Sequence, residues 1–441
     1  MTAARAPKRL APLSLKANFA WTLAGNLTAA FSQWLLLVIL AKTTSDATTG
    51  QFVLAMSICA PVFMFAGLDL RTLQATDSEN SFEFHEYLTL RVLCGAIALL
   101  AVPGIAWVIG YRGDTLLIIS GVALGRLFDV IADILYGLMQ KSERMDRVSR
   151  SLVIRGVSSA IAFGVTVAWT GNLVAAVLLA TVVRLASLLI VDLPVALSVE
   201  REPIRLINGV DARWQRLRRL TILGLPLAVK VMLVSLNVQV TRYFVVGLCS
   251  LAEVGVFGPI AALAVAGTTV SKALNQSVSA RLGRLARNRQ LLGFRHLLRK
   301  MQLLYLGLGI IGVTGAWLFG ETLLAIVYRP DFAAYHQVLT LVAVAVALQF
   351  QSGILDMAMV ALRRIAILPV LSGVSVVVTS IACWFLIPGF GLEGAAMAMI
   401  ISRLIRMVVL NALIEVESRR LVETCEKPAR KVRDLGKRDA A

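Results

Sequence analysis

The chain is a succession of apolar runs separated by short charged stretches. Each run is near the ~20 residues that carry an α-helix across the hydrocarbon of a bilayer. Inside that layer no water satisfies the backbone, so a segment of this kind must close its own hydrogen bonds as a helix. Spans are predicted over 17–41, 51–70, 88–110, 114–139, 151–170, 173–195, 220–246, 254–279, 301–320, 334–361, 366–387 and 392–414. The expected fold is all-α and integral to the membrane, with twelve transmembrane helices in two six-helix lobes around a central cavity. Composition agrees: 58% of the 441 residues are hydrophobic and 16% are charged, against about 25% charged in a soluble domain. The first run, Ala17 to Ala41, exceeds the roughly 7–15 apolar residues of a cleaved signal, so it is expected to remain as a span.

Lysine and arginine fall on alternate loops. The N-terminal tail carries Arg5, Lys8, Arg9 and Lys16, and the loop after the fourth span carries Lys141, Arg144, Arg147 and Arg150. Further basic groups follow the sixth, eighth and tenth spans, and the other loops hold only Lys42, Arg112 and Arg329. By the positive-inside rule both termini are expected in the cytoplasm. The net charge of +18 is then a topology signal and a match to anionic lipid, not a nucleic-acid surface. The acidic loop Asp77 to Glu86 is still expected on the cytoplasmic side, because acidic residues weigh little in this rule. The segment 280–300 reads as a basic amphipathic helix lying on the membrane, with Leu282, Leu285, Leu292, Leu297 and Leu298 as its apolar contacts.

The two halves resemble each other. "TGQFVLA" opens the second span and "VGVFGPI" the eighth; "LVAAVLLATVVRL" in the sixth resembles "LEGAAMAMIISRL" in the twelfth, aligning Arg184 with Arg403. In the fourth span Arg126, Asp129, Asp133, Tyr136 and Gln140 follow a 3-4-3-4 spacing. In the tenth, Gln349, Ser352, Asp356, Met359 and Arg363 repeat it, with Asp356 where Asp133 falls. The expected organisation is a basic tail (1–16), an N-terminal lobe (17–197), a linker (198–219), a C-terminal lobe (220–414) and a second basic tail (415–441). Parallel repeats of this kind are a transporter architecture.

Spacings of three and four put side chains on one helix face. A charge facing lipid at mid-depth costs at least ~2.5–3.5 kcal/mol, so the stripe on the fourth span must face protein or water. The same holds for Arg184, Lys230, Asn237, Asp356, Arg403 and Arg406. Arg91, Arg155, Arg242 and Lys272 lie near span ends, where snorkelling to the headgroups is an adequate reading. Asp192 reads as a helix-end residue. Arg126 with Asp129 one turn on has the alternative of an internal ion pair, and Asp133 that of holding an arginine such as Arg155. The deep cations Arg126, Arg184, Lys230, Arg403 and Arg406 outnumber Asp129, Asp133 and Asp356, with Asp69 a further candidate acid. Such a surplus suits a phosphate or carboxylate, because guanidinium offers two parallel donors to either.

Several stretches resemble the bacterial polysaccharide transport family, the O-antigen and capsule repeat-unit flippases of the multidrug/oligosaccharidyl-lipid/polysaccharide exporter superfamily. They are "NFAWTLAGN" and "SQWLLLVILAK", "GQFVLA" with "APVFMFAGLDLRTLQATD", "DILYGLMQKSERMDR", and "NVQVTRYFV", in that order. The resemblance implies an undecaprenyl-diphosphate-linked oligosaccharide passed between leaflets of the bacterial inner membrane by alternating access. It implies substrate-binding roles for Arg126, Arg184, Lys230, Arg403 and Arg406 in a cationic cavity. Because the superfamily runs on ion gradients, Asp129, Asp133 and Asp356 become candidate coupling acids. A polysaccharide polymerase and a chain-length regulator are candidate partners besides membrane lipids. The related lipid II flippases typically carry two further helices, and none is expected here after Leu413.

The competing reading is a cation-coupled multidrug or metabolite antiporter of the same superfamily, for which an acidic, aromatic-lined cavity would be expected. A membrane enzyme is disfavoured: there is no GxxxxGK[ST] or GxSxG, and the longest outer loop, Glu321 to Ala333, is short. No cofactor is implied. The five cysteines form no CxxC and the three histidines lie far apart, so no metal site is expected either.

Overall fold

The computed structural model describes residues 13–77, 81–199, 210–288 and 290–438. Among the described residues there are helices and no strands. The first six are α1 (Leu15–Thr43), α2 (Asp46–Ala66), α3 (Leu70–Thr76), α4 (Phe84–Ile109), α5 (Gly113–Lys141) and α6 (Met145–Thr170). Then come α7 (Leu173–Ser187), a π-helical turn at Leu188–Asp192, α8 (Leu193–Val199) and α9 (Val210–Leu248). The remainder is α10 (Leu251–Ala266), α11 (Thr268–Arg287), α12 (Leu291–Val327), a 3-10 turn at Pro330–Tyr335, α13 (His336–Ala361) and α14 (Ile367–Arg438).

Among the described residues ten helical stretches are long and apolar enough to cross a membrane. One of them, Ile367–Glu417, holds two predicted spans, 366–387 and 392–414. The chain turns between those two at Gly391, whose φ of 54° lies where glycine is favoured. The predicted span 254–279 is divided at Gly267 into α10, which at 16 residues is too short to count alone, and α11, which at 20 residues is too polar. The helices are thus those of a twelve-span, multi-pass membrane protein. Large apolar side chains stay exposed along them, such as Leu100, Ile311 and Phe385, as a hydrocarbon environment permits.

The chain folds into two compact units, Met1–Ser235 and Leu236–Ala441. In the first, α6 runs against α1 so closely that a Cβ on Gly25 would meet the Ser149 Cα at 2.8 Å. The predicted linker lies partly outside the described residues; from Val210 onward it is α9. There Leu217, Leu220 and Ala228 pack with Leu68, Leu70, Tyr87 and Leu90. Arg216 donates to both carboxylate oxygens of buried Glu86, the Nη2 bond being 2.9 Å. That packing holds the first part of α9 in the N-terminal unit.

Two features depart from the pattern of the sequence. The second span breaks after α2: Leu68 and Asp69 both take left-handed backbone, with φ of 49° and 47°, before α3 resumes. The segment 280–300 is not a surface helix. It is the end of α11 and the start of α12, and Leu282, Phe294 and Leu298 are buried with Met301, Tyr305 and Leu410 in the core of the C-terminal unit. The leucine spacing that suits a lipid surface suits a protein face equally well. In the acidic loop, burial would raise the Asp77 carboxyl, but the backbone N–H groups of Ser81 and Phe82, at 3.0 and 3.2 Å, outweigh it and hold the group below its ordinary range.

Candidate functional site: an arginine-rich cavity in the N-terminal unit

The polar stripe on α5 faces inward. Arg126, Asp129, Asp133 and Tyr136 line a cavity of about 280 Å³, which Arg71 of α3, Arg155 of α6 and Arg184 of α7 also line. Apolar packing on the adjoining face of α5 helps fix this orientation, since Ala132, Leu135 and Met139 are buried in a cluster with Tyr136 of the stripe, Val148 and Leu188.

Asp129 is the centre of one ion-pair group. It accepts from Arg184 Nη1 at 2.8 Å, with Arg155 Nη1 at 3.5 Å and Arg126 Nη1 at 3.7 Å. Asp133 is the centre of another, accepting from Arg71 Nη1 at 2.9 Å and from Arg91 Nη2. Arg71 Nε also donates to Gln140 Oε1 at 3.1 Å. Arg91, buried, reaches further: Nη1 donates to the Gly67 carbonyl at 2.6 Å and Nε to the Val130 carbonyl at 2.9 Å. It therefore ties the broken end of α2 to Asp133.

Four readings of the sequence are corrected here. Arg91 and Arg155 do not snorkel; they are 5% and 7% exposed and bind inside the unit. Asp192 is not a simple helix-end residue. It is fully buried and accepts from Arg155 Nη2 and from Ser151 Oγ. The arginines on Asp133 are Arg71 and Arg91, not Arg155. Arg71, beyond the break in the second span, carries no mark in the sequence that sets it apart. Depth in the sequence misleads in each case, because these side chains reach charges on neighbouring helices of the same unit. The i,i+3 pairing of Arg126 with Asp129 is present, though Arg184 is the closer partner. In direct ion pairs five arginines (71, 91, 126, 155, 184) meet three aspartates (129, 133, 192), and Asp69 acts on Arg91 from further off, so guanidinium exceeds carboxylate by one.

In the C-terminal unit Arg406 Nη2 donates to both oxygens of Asp356, at 2.9 and 3.1 Å, and its Nη1 lies 3.4 Å from Ser372 Oγ. Arg403 stands one turn away and half-buried. Among the described residues it has no hydrogen bond or ion pair. The repeat explains why. Arg184 binds Asp129, and the position of Asp129 is taken by Ser352 in the second half, so the counterpart of Arg184 lacks that carboxylate. Lys230, on α9, is half-buried and does not line the N-terminal cavity.

No family model matches the chain. It is similar to the capsular polysaccharide biosynthesis protein CapF of Staphylococcus aureus, 24% identical over 393 residues that cover 89% of this chain and 97% of that protein. Among solved structures, it is similar to an inward-facing multidrug resistance MATE family transporter of the MOP superfamily. The TM-score is 0.69 at 14% identity, over 91% of this chain and 96% of that one. A point mutant of the Vibrio cholerae MATE transporter VcmN gives a TM-score of 0.62 at 13% identity over 93% and 97%. The fold is that of the MOP-superfamily transporters. The sequence similarity to CapF runs along nearly the whole chain.

Proposed function

We propose that this protein is a flippase. It moves an undecaprenyl-diphosphate-linked oligosaccharide repeat unit from the cytoplasmic to the outer leaflet by alternating access, for polysaccharide biosynthesis. The observation that carries the proposal is the surplus of guanidinium over carboxylate within membrane-spanning helices. A diphosphate can draw arginines from their ion pairs, and an organic cation would be repelled, which disfavours the antiporter reading. Similarity to a capsular polysaccharide biosynthesis protein supports the same substrate class. Arg126, Arg184, Lys230, Arg403 and Arg406 are the proposed substrate contacts. Asp129, Asp133 and Asp356 are the proposed coupling acids for an ion gradient. A polymerase and a chain-length regulator are the proposed protein partners.

Arg184→Ala and Arg403→Ala are expected to reduce export of lipid-linked repeat units at least about tenfold at normal membrane abundance, each removing a charge-assisted contact. Export can be followed as surface polysaccharide, with accumulation of the lipid-linked precursor inside. Full export by both variants would end the assignment of these arginines. Complete rescue by lysine would remove only the two-pronged contact.

The proposed site of action is the bacterial inner membrane, with both termini cytoplasmic. In a cysteine-free background, an impermeant thiol reagent outside the cell should label Ser45→Cys and spare Asn288→Cys. The opposite pattern would invert the topology.

A further inference from the structure

We propose that the crevice between the ends of α11 and α13, in the C-terminal unit, holds a resident anionic phospholipid with its phosphodiester at Arg287 and Arg363. The crevice has a volume of about 420 Å³. Gly283 and Ala286 of α11 and Met357 and Val360 of α13 give it an apolar lining, and Arg287 and Arg363 line it beside them. The spans predicted for these two helices end at 279 and 361. The crevice therefore lies where hydrocarbon gives way to headgroups. No carboxylate is among the described residues that line it.

The two arginines differ from their neighbours. Arg364 is paired with Glu417 at 3.0 Å and Arg295 with Glu415 at 3.1 Å. The side chains of Arg287 and Arg363 are exposed and make no hydrogen bond or ion pair among the described residues. Arg363 also sits in left-handed backbone, with a φ of 59°, and its N–H donates to the Val360 carbonyl at 3.0 Å. A helix end of this kind favours glycine. The same cap ends α5, where Glu143 has a φ of 52° and its N–H donates to the Gln140 carbonyl at 3.0 Å. The cap accepts an acid as readily as a base, so it does not account for an arginine at 363.

The lining selects the ligand. Two guanidinium groups without a carboxylate at one crevice suit an anion, and a fork of parallel N–H donors matches phosphate oxygens. A free phosphate ion would leave the apolar lining facing water. A phospholipid fits both parts, with its glycerol and the first carbons of its chains against Gly283, Ala286, Met357 and Val360 and its phosphate at the arginines. Basic pockets between spanning helices hold anionic headgroups in this way. The inference does not rest on the flippase reading, and neither arginine is among the proposed substrate contacts.

The test uses the purified full-length protein, delipidated in neutral detergent, with phosphatidylglycerol, phosphatidylcholine or inorganic phosphate added. Native mass spectrometry counts bound lipid, and thermal unfolding reports stabilisation. Phosphatidylglycerol is expected to bind saturably and to raise the melting temperature, and the other two are not. Arg287→Ala and Arg363→Gly should each weaken phosphatidylglycerol binding about fivefold. Arg363→Gly should also raise the melting temperature without lipid, because glycine relieves the left-handed backbone, so its weaker binding could not be put down to misfolding. Arg299→Ala removes an exposed arginine that does not line the crevice and should bind as wild type. Equal binding by wild type, Arg287→Ala and Arg363→Gly would overturn the site. Equal weakening by Arg299→Ala would replace it with a diffuse surface attraction. Stabilisation by phosphatidylcholine or by phosphate alone would remove the recognition of an anionic lipid. Displacement of bound phosphatidylglycerol by an equal amount of undecaprenyl diphosphate would give the crevice to the transported lipid and end the claim of a resident one.

Discussion

Arg155→Ala should destabilise the protein by about 3–5 kcal/mol, the range for removing one partner of a buried ion pair. Asp192, its partner, is fully buried and keeps only Ser151 Oγ of its two recorded donors. The loss also opens Asp129 on one side, since Arg155 Nη1 stands 3.5 Å from it. Asp192→Ala should destabilise similarly from the other direction. The double variant should recover part of the loss, because neither charge is then stranded. Thermal or denaturant unfolding in detergent measures all three. Strict additivity of the two single losses would show that the pair has no direct coupling, and the account given above for Asp192 would fail.

Asp133→Asn should carry the second large effect. Asparagine keeps the size of the side chain and can accept a hydrogen bond, but it leaves Arg91 (5% exposed) and Arg71 without their carboxylate. Stability should fall by about 1–3 kcal/mol, less than for a fully buried pair, because Asp133 is 33% exposed and Arg91 keeps its two carbonyl acceptors. Because Arg91 also bonds the Gly67 carbonyl, the break after α2 should loosen, read as faster amide exchange around residues 67–71. If the proposed coupling role holds, protein that does fold should lose gradient-driven transport and its pH dependence, and Asp356→Asn should do the same. An unchanged pH profile in both variants would remove ion coupling from the proposal and leave the two carboxylates as static partners of arginine.

The spans and the inward stripe on α5 were legible because their causes are local. A run of apolar residues and a 3-4-3-4 spacing are visible without knowing any neighbour. The partners were not legible. Arg71, Arg91 and Arg155 join the site from three other helices, and their distance from a span end gives no sign of direction. A long arginine can reach headgroups or a carboxylate in the next helix equally well. The segment 280–300 failed for a related reason: an apolar stripe states that something covers it, not whether that is lipid or protein. Arg184 and Arg403 were aligned by the repeat, yet only the contacts reveal that Arg184 holds a carboxylate while Arg403 makes no hydrogen bond or ion pair among the described residues.

The π-helical turn at Leu188–Asp192 has a consequence for angular phase. Eight residues separate Arg184 from Asp192; at roughly 100° each, a regular helix would set them about 80° apart. A wide turn absorbs one residue without advancing the helix, which leaves about 20° between them. Asp192 thereby swings to the side of Arg184 and meets Arg155, while Leu189 and Ile190 remain outward at 52% and 74% exposed. The address of this carboxylate is set by a count of residues as much as by its identity. Adding one residue to the turn would rotate an intact aspartate by about 100° away from its arginine, whereas losing the extra one would restore a regular helix in the same phase, so the length of this stretch is as much a part of the ion-pair cluster as any side chain in it.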